Sequence, residues 1–160
     1  SIAASRKIFN ISDVNIKNSM KKMRLKGRLE EIKSGKLKSL IGENRLIIDG
    51  GHNINSAISI SNWVKQQNEK VHLICGMMND KPHKEFVNQF ENSVNSITLI
   101  DIPNQEGSIS KEEFKKKLGN KNIHTAESIE ESLMLNNKDK NCIFLCAGSL
   151  YLAGEVLNLN

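Results

Sequence analysis

The chain reads as a three-layer α/β domain, a Rossmann-like fold with a mainly parallel sheet of five or six strands and helices on both faces. Two observations predict it. Short runs built almost wholly of Ile, Leu, Val, Phe and Cys recur along the sequence, as strands covered on both faces require. Amphipathic stretches of helical length separate these runs, and alternation of strand with helix favours parallel strands joined by right-handed crossovers.

The elements follow in order. Upstream of Arg45, one or two helices (Ile2–Phe9 and Asp13–Met23) precede an irregular basic loop. Arg45–Asp49 is the first strand. Asn55–Gln67 is helical, with Ile58, Trp63 and Val64 on one stripe and Asn53 or Asn55 as its cap. Val71–Cys75 is a second strand, followed by a short helix over Lys84–Phe90. Ser96–Asp101 is the third strand. Ser110–Leu118 opens with a serine and places Glu113 three residues on, a capping-box pattern. A short strand over Asn122–Thr125 leads to a helix over Ser128–Asn136, where Glu131 repeats the device. Asn141–Ala147 is the last strand and Leu150–Leu157 the closing helix. Neither an internal repeat nor a proline-rich linker divides residues 1–160, which read as one domain.

Composition narrows the function. With 160 residues, 38% hydrophobic and 26% charged, the chain suits one globular domain with a real core. No apolar run approaches the roughly 18 residues of a membrane span. The net charge of +5 comes with only 4% aromatics, and the basic residues are scattered between Lys21–Arg28 and Lys115–Lys117. A nucleic-acid surface needs a continuous basic face with stacking aromatics, so no nucleic-acid partner is expected. Cys75, Cys142 and Cys146 are odd in number, lie in apolar runs and lack Cys-x-x-Cys spacing. They read as buried reduced thiols of a cytoplasmic protein rather than metal ligands. His72, His83 and His124 have no ligand spacing and read as structural or surface residues. The chain begins with Ser1, not Met, which fits a fragment of a longer protein.

Chemistry in an open parallel sheet gathers beyond the carboxyl ends of strands and at helix N-termini. Three segments end a strand that way. In Asp49-Gly50-Gly51-His52-Asn53 an apolar strand runs into an acid, two glycines that permit close backbone approach, and a histidine able to donate to a phosphate or carboxylate. The same segment also fits a plain strand-to-helix turn capped by Asn53. In Gly76-Met77-Met78-Asn79-Asp80-Lys81-Pro82, Lys81 is a point charge suited to an anion, or half of an exposed acid–lysine turn. In Gly148-Ser149-Leu150-Tyr151, Ser149 offers a hydroxyl and nearby N–H groups to an anion, or is simply an N-cap. Upstream, Arg28 in Gly27-Arg28-Leu29-Glu30 carries a planar donor fork suited to phosphate, or is a solvated arginine. There is no Gly-x-x-x-x-Gly-Lys-Ser/Thr loop.

Taken in order, Lys26-Gly27-Arg28-Leu29-Glu30, Asp49-Gly50-Gly51-His52-Asn53, Gly76-Met77-Met78-Asn79-Asp80-Lys81, Ile102-Pro103 and Gly148-Ser149-Leu150-Tyr151-Leu152-Ala153-Gly154-Glu155-Val156 resemble the C-terminal domain of the folylpolyglutamate synthase/dihydrofolate synthase family, within the Mur ligase superfamily. The resemblance covers essentially the whole chain, with Lys26 standing where the family more often has proline. It implies a ligase that phosphorylates a folate or dihydropteroate carboxylate with ATP and Mg2+. The amine of L-glutamate then attacks the acyl phosphate. A separate N-terminal domain of the same enzyme, absent here, would carry the P-loop, the magnesium ligands and most of the pterin pocket, so this piece alone would be inactive. By position, Arg28 and Asp49 would contact ATP and His52 would serve catalysis near the phosphates and the incoming glutamate. Lys81 and Ser149 would bind glutamate, with no metal ligand in this chain and a monomer expected. Another Mur-type amino-acid ligase domain and a stand-alone Rossmann-like nucleotide-binding module are the alternatives.

Overall fold

Six segments pair into one sheet: β1 (Glu30–Ile32), β2 (Arg45–Asp49), β3 (Lys70–Cys75), β4 (Ser96–Leu99), β5 (Ile123–Thr125) and β6 (Cys142–Ala147). They lie in the order β1-β2-β6-β3-β4-β5. The computed structural model describes residues 8–9, 11–22, 25–119 and 122–160, so the helix expected over Ile2–Phe9 falls, but for its last two residues, outside the described part. The helices are α1 (Asp13–Lys22), α2 (Lys36–Leu40), α3 (Ile54–Val64), α4 (His83–Asn88), α5 (Lys111–Leu118), α6 (Ile129–Leu135) and α7 (Leu150–Leu159).

Five strands run parallel. The registers Ile47↔Leu145 and Leu73↔Leu145 place β6 between β2 and β3, and β4 and β5 continue outward in parallel. Side-chain alternation divides the core in two. Ile47, Leu73, Leu99 and Leu145 face α3, α4 and α5 through Ile60, Phe86 and Phe114. Leu46, Ile48, Ile74 and Phe144 face α2, α6 and α7 through Leu37, Leu133 and Leu152. Full burial of each such Leu or Phe contributes about 1.5–3 kcal/mol, which is why these strands tolerate almost no polar residue. Among the few buried polar residues in them, besides Asp49 and Thr98, His72 is bridged: its Nδ1 lies 2.8 Å from Ser96 Oγ and its Nε2 3.1 Å from Asp139. The three cysteines are buried and free, as expected, and burial pushes the Cys146 thiol up to about 12.

The helix caps follow the sequence. Asn53, not Asn55, caps α3, accepting the Ser56 N–H while Ser56 Oγ accepts the Asn53 N–H. Ser110 and Ser128 accept from Glu113 and Glu131 N–H. The reciprocal half of the second box departs from the pattern, because the Glu131 carboxylate takes the Glu127 N–H instead.

Two expectations need correction. The buried face of α3 is Ala57, Ile60, Ser61 and Val64, whereas Ile58 is 42% exposed. Six residues at 3.6 per turn place Ile58 and Val64 on different sides, so they cannot share a stripe. The stretch after Arg28 is also not an irregular loop. Glu30–Ile32 adds antiparallel to β2 in the register Glu31↔Ile47, and α2 follows. The N-terminus of α2 is closed from a distance: Asn160 accepts the Lys36 N–H on its carbonyl at 3.0 Å and the Lys38 N–H on its side chain at 3.2 Å. A three-residue edge strand of sequence Glu-Glu-Ile has no apolar run to announce it, and its charges suit an unpaired edge.

Candidate functional site at the strand ends around β6

The connections switch faces of the sheet at β6. After β2 and β3 the chain leaves for the face that carries α3 and α4, and after β6 it leaves for the opposite face through α7. Connections that diverge in this way open a crevice beyond the carboxyl ends of the strands. Asp49, Ala147 and Cys75 end the three adjacent strands in register, so the glycine-bearing loops that follow them share one rim.

Backbone bonds knit these loops. The Gly50 N–H donates to Gly27 O at 2.8 Å and the Gly148 N–H to Gly51 O at 3.0 Å. Such close approach leaves no room for side chains: a Cβ at Gly50 would lie 2.1 Å from Leu150 Cδ2, and one at Gly148 2.8 Å from Gly76 O.

Asp49 is buried and acts as a brace. Its carboxylate accepts the Gly51 N–H at 2.7 Å and the Leu29 N–H at 2.9 Å, with Arg28 Nη1 3.7 Å away. Leu29 takes a φ of 43°, a left-handed conformation costly for a leucine. The bond to Asp49, the Gly27 N–H on Glu30 at 2.7 Å and the pairing of β1 hold it there. Strain at this turn therefore serves to present Arg28, whose side chain is 48% exposed, at the mouth of a cleft of about 230 Å³ lined by Asp49, Gly51, His52, Asn53 and Ser56.

His52 sits in the wall between that cleft and a second one of about 280 Å³, lined by His52, Asp80, Lys81, Ser149 and Tyr151. Its Nδ1 is 2.9 Å from Gly50 O. A carbonyl only accepts, so Nδ1 carries a hydrogen, and in the neutral form of the ring it is Nε2 that is the acceptor. Lys81 Nζ lies 2.7 Å from Asp80 Oδ2, and this bond, more than the nearby His52, holds the Asp80 carboxyl below the usual carboxylate range. Ser149 is buried as the N-cap of α7, accepting the Tyr151 N–H at 3.1 Å; that bond leaves its hydroxyl hydrogen uncommitted.

The five residues singled out by sequence thus meet on one rim, Arg28 and Asp49 on one cleft, Lys81 and Ser149 on the other, His52 on both. His83, read from the sequence as structural or surface, is a structural residue behind the second cleft. Its ring is buried against Phe114 with centroids 5.1 Å apart, and its Nε2 holds Met78 O at 3.0 Å, fixing the turn that carries Asp80 and Lys81. That turn is also tied to the next loop, since Asn79 N–H donates to Gly107 O and Ile109 N–H to Met77 O. Among the described residues, no group of three or more His, Cys, Asp or Glu is arranged to hold a metal ion, and no helix is long and apolar enough to cross a membrane.

Comparison with known proteins places this architecture. The profile of the Mur ligase, glutamate ligase domain family matches residues 27–150. The dihydrofolate synthase/folylpolyglutamate synthase of Buchnera aphidicola subsp. Schizaphis graminum is 24% identical over 164 residues, spanning 99% of this chain and 37% of that protein. The folylpolyglutamate synthase of Mycobacterium tuberculosis, solved with ADP and AMPPCP, is similar with a TM-score of 0.76 at 15% identity over 93% of this chain and 35% of that one. The bifunctional folylpolyglutamate synthase/dihydrofolate synthase from Yersinia pestis gives 0.74 at 19% identity over 92% and 34%. The chain therefore spans little more than a third of the length of these relatives. Its matched segment runs from the Arg28 turn to the start of α7 and takes in the first cleft and all of the second but Tyr151, and the chain belongs to the Mur ligase glutamate ligase domain family.

Proposed function

We propose that this chain is the C-terminal domain of an ATP-dependent carbon–nitrogen ligase that adds L-glutamate to folate, and also to dihydropteroate. One observation carries the reading: His52 is shared by two clefts, one presenting Arg28 and the other presenting Lys81. A ligase of this kind must bring a phosphoryl donor and an amine together and neutralise the charge between them.

In this reading the Arg28 cleft takes the nucleotide, its guanidinium fork meeting phosphate, and Asp49 sets that fork through the Leu29 turn. The folate carboxylate attacks the γ-phosphorus of ATP, releasing ADP and leaving an acyl phosphate. The Lys81 cleft takes glutamate, with Ser149 donating its hydroxyl hydrogen to a carboxylate. His52 Nε2 accepts a proton from the amine. The freed amine attacks the acyl carbon, the carbon–oxygen bond to phosphate breaks, and phosphate leaves with that electron pair and takes up the second proton that the nitrogen sheds as the amide forms.

An upstream domain would supply the P-loop, the magnesium ligands and most of the pterin pocket, and exposed Leu25, Leu150 and Tyr151 offer it an apolar seat. The relatives solved with ADP, AMPPCP, or AMPPNP and manganese support a nucleotide with a divalent cation as co-substrate. The test is twofold. The upstream reading frame should encode a Gly-Thr-Asn-Gly-Lys-Gly-type loop. The full-length protein should form folylpolyglutamate from folate, ATP, Mg2+ and glutamate, while the isolated chain should not. His52→Ala and Asp49→Ala in the full-length protein should each lower turnover at least tenfold. Wild-type rates in both would refute the assignment.

A further inference from the structure

Asp80 and Lys81 are adjacent in sequence and line the same cleft. The pair is preformed, with Nζ and Oδ2 2.7 Å apart and side-chain exposures of 72% for Asp80 and 27% for Lys81. Lys81 and, more weakly, His52 keep the Asp80 carboxyl below the usual range, so the cleft contains a fixed anion at neutral pH. A ligand that is only an anion fits poorly there. To reach Lys81 its carboxylate must displace Asp80, strand that carboxylate without its partner and then sit beside a like charge. A ligand carrying a cation next to its anion avoids both costs. Its carboxylate replaces Asp80 on Lys81 while its ammonium replaces Lys81 on Asp80, and every charge remains paired. An α-amino acid has this arrangement on a single carbon.

We propose that Asp80 is a specificity-determining residue of the cleft, accepting the α-ammonium of the incoming amino acid while Lys81 takes a carboxylate. The inference rests on the reading of this cleft as the amino-acid site and adds the requirement for the amine. It also explains why an acid belongs in a cleft meant for a dicarboxylate. Asp80 collects the amine in its protonated form against the wall that carries His52, the side chain placed to remove the proton. Because Asp80 is exposed and, among the described residues, its only hydrogen bond from another side chain is the one from Lys81, its replacement leaves the packing of the loop intact.

The experiment compares L-glutamate with glutarate, the same dicarboxylate without the amine, in the full-length protein. KM for glutamate and Ki for glutarate against glutamate are measured for wild type, Asp80→Asn, Asp80→Glu and Lys81→Ala, with the KM for ATP as a control. Wild type should hold glutarate at least tenfold more weakly than glutamate. Asp80→Asn should raise the KM for glutamate about tenfold and tighten glutarate, shrinking the glutarate-to-glutamate ratio at least tenfold without moving the KM for ATP. Asp80→Glu should recover most of the discrimination, and Lys81→Ala should weaken both ligands. If Asp80→Asn leaves the ratio unchanged while Lys81→Ala weakens both, the cleft binds amino acids but Asp80 does not read the amine, and the proposal fails alone. If Lys81→Ala also changes neither constant, the amino-acid reading of the cleft fails and the proposal with it.

Discussion

Replacing Gly148 with alanine should unfold the rim from its centre. Gly148 has a φ of 115°, and an added Cβ would lie 2.8 Å from Gly76 O, 2.9 Å from Cys75 Sγ and 2.9 Å from Met77 Cγ. Two costs therefore add. Forcing an L side chain into that backbone region costs about 1–3 kcal/mol. Overpacking against a neighbouring strand end, where the nearest atom is backbone and cannot swing aside, costs about 1–3 kcal/mol more. The sum, about 2–6 kcal/mol, converts to a fall in Tm of roughly 4–24 °C at about 2–4 °C per kcal/mol for a chain of this size. Two other glycines separate the contributions. Gly119 ends α5 with a φ of 67° and open space around it, so Gly119→Ala isolates the conformational part at about 1–2 kcal/mol. Gly154 lies inside α7 with neither a positive φ nor a neighbour within 4 Å, so Gly154→Ala should stabilise by about 0.5–1 kcal/mol. Calorimetric unfolding of the three variants should rank them Gly148 far below Gly119, and Gly119 below Gly154. A Gly148→Ala protein melting within 2 °C of wild type would show that the strand ends are not packed as tightly as the structure requires.

Burial holds the imidazoles of His72 and His83 below the ordinary histidine range; for His72 the Asp139 carboxylate opposes this shift and Lys70 adds to it. The folded state thus binds fewer protons than the unfolded chain, so stability is complete above about pH 6.5 and declines as pH falls below that value toward the two depressed ones. Urea midpoints should be lower at pH 5.5 than at pH 7.5, and the difference should shrink in a His72→Gln/His83→Gln double variant; equal wild-type midpoints would refute the effect. His83→Ala leaves Met78 O without its imidazole donor, which should cost about 1–3 kcal/mol and raise the KM for glutamate in the full-length protein more than it lowers kcat. An unchanged KM would limit His83 to a structural role. Asn53→Ala removes the α3 cap and should cost about 1 kcal/mol in chemical denaturation, with no loss contradicting the capping geometry seen at Ser56.

The alternation of apolar runs with amphipathic stretches was sufficient to determine the class of fold, because a strand buried on both faces can hold almost nothing but aliphatic and aromatic residues; hence Arg45–Asp49 and Cys142–Ala147 were legible almost to the residue. The caps were legible for a similar reason: Ser110, Ser128 and Asn53 act on N–H groups three residues away, within reach of local sequence. Local pattern also located the loops that carry Arg28, Asp49, His52, Lys81 and Ser149. What it did not determine was their company. That β6, last of the strands, inserts between β2 and β3 depends on the return crossover through α6, and this insertion brings Ser149 between His52 and Lys81. The turn of Arg28 is set by the pairing of Glu30–Ile32 with a strand some fifteen residues later and by a hydrogen bond from Leu29 to Asp49, contacts that leave no periodic trace. Solvent exclusion acts on single positions and so is written into composition and spacing, whereas a binding rim is made by contacts between residues far apart in the chain, and only the folded sheet brings them within bonding distance.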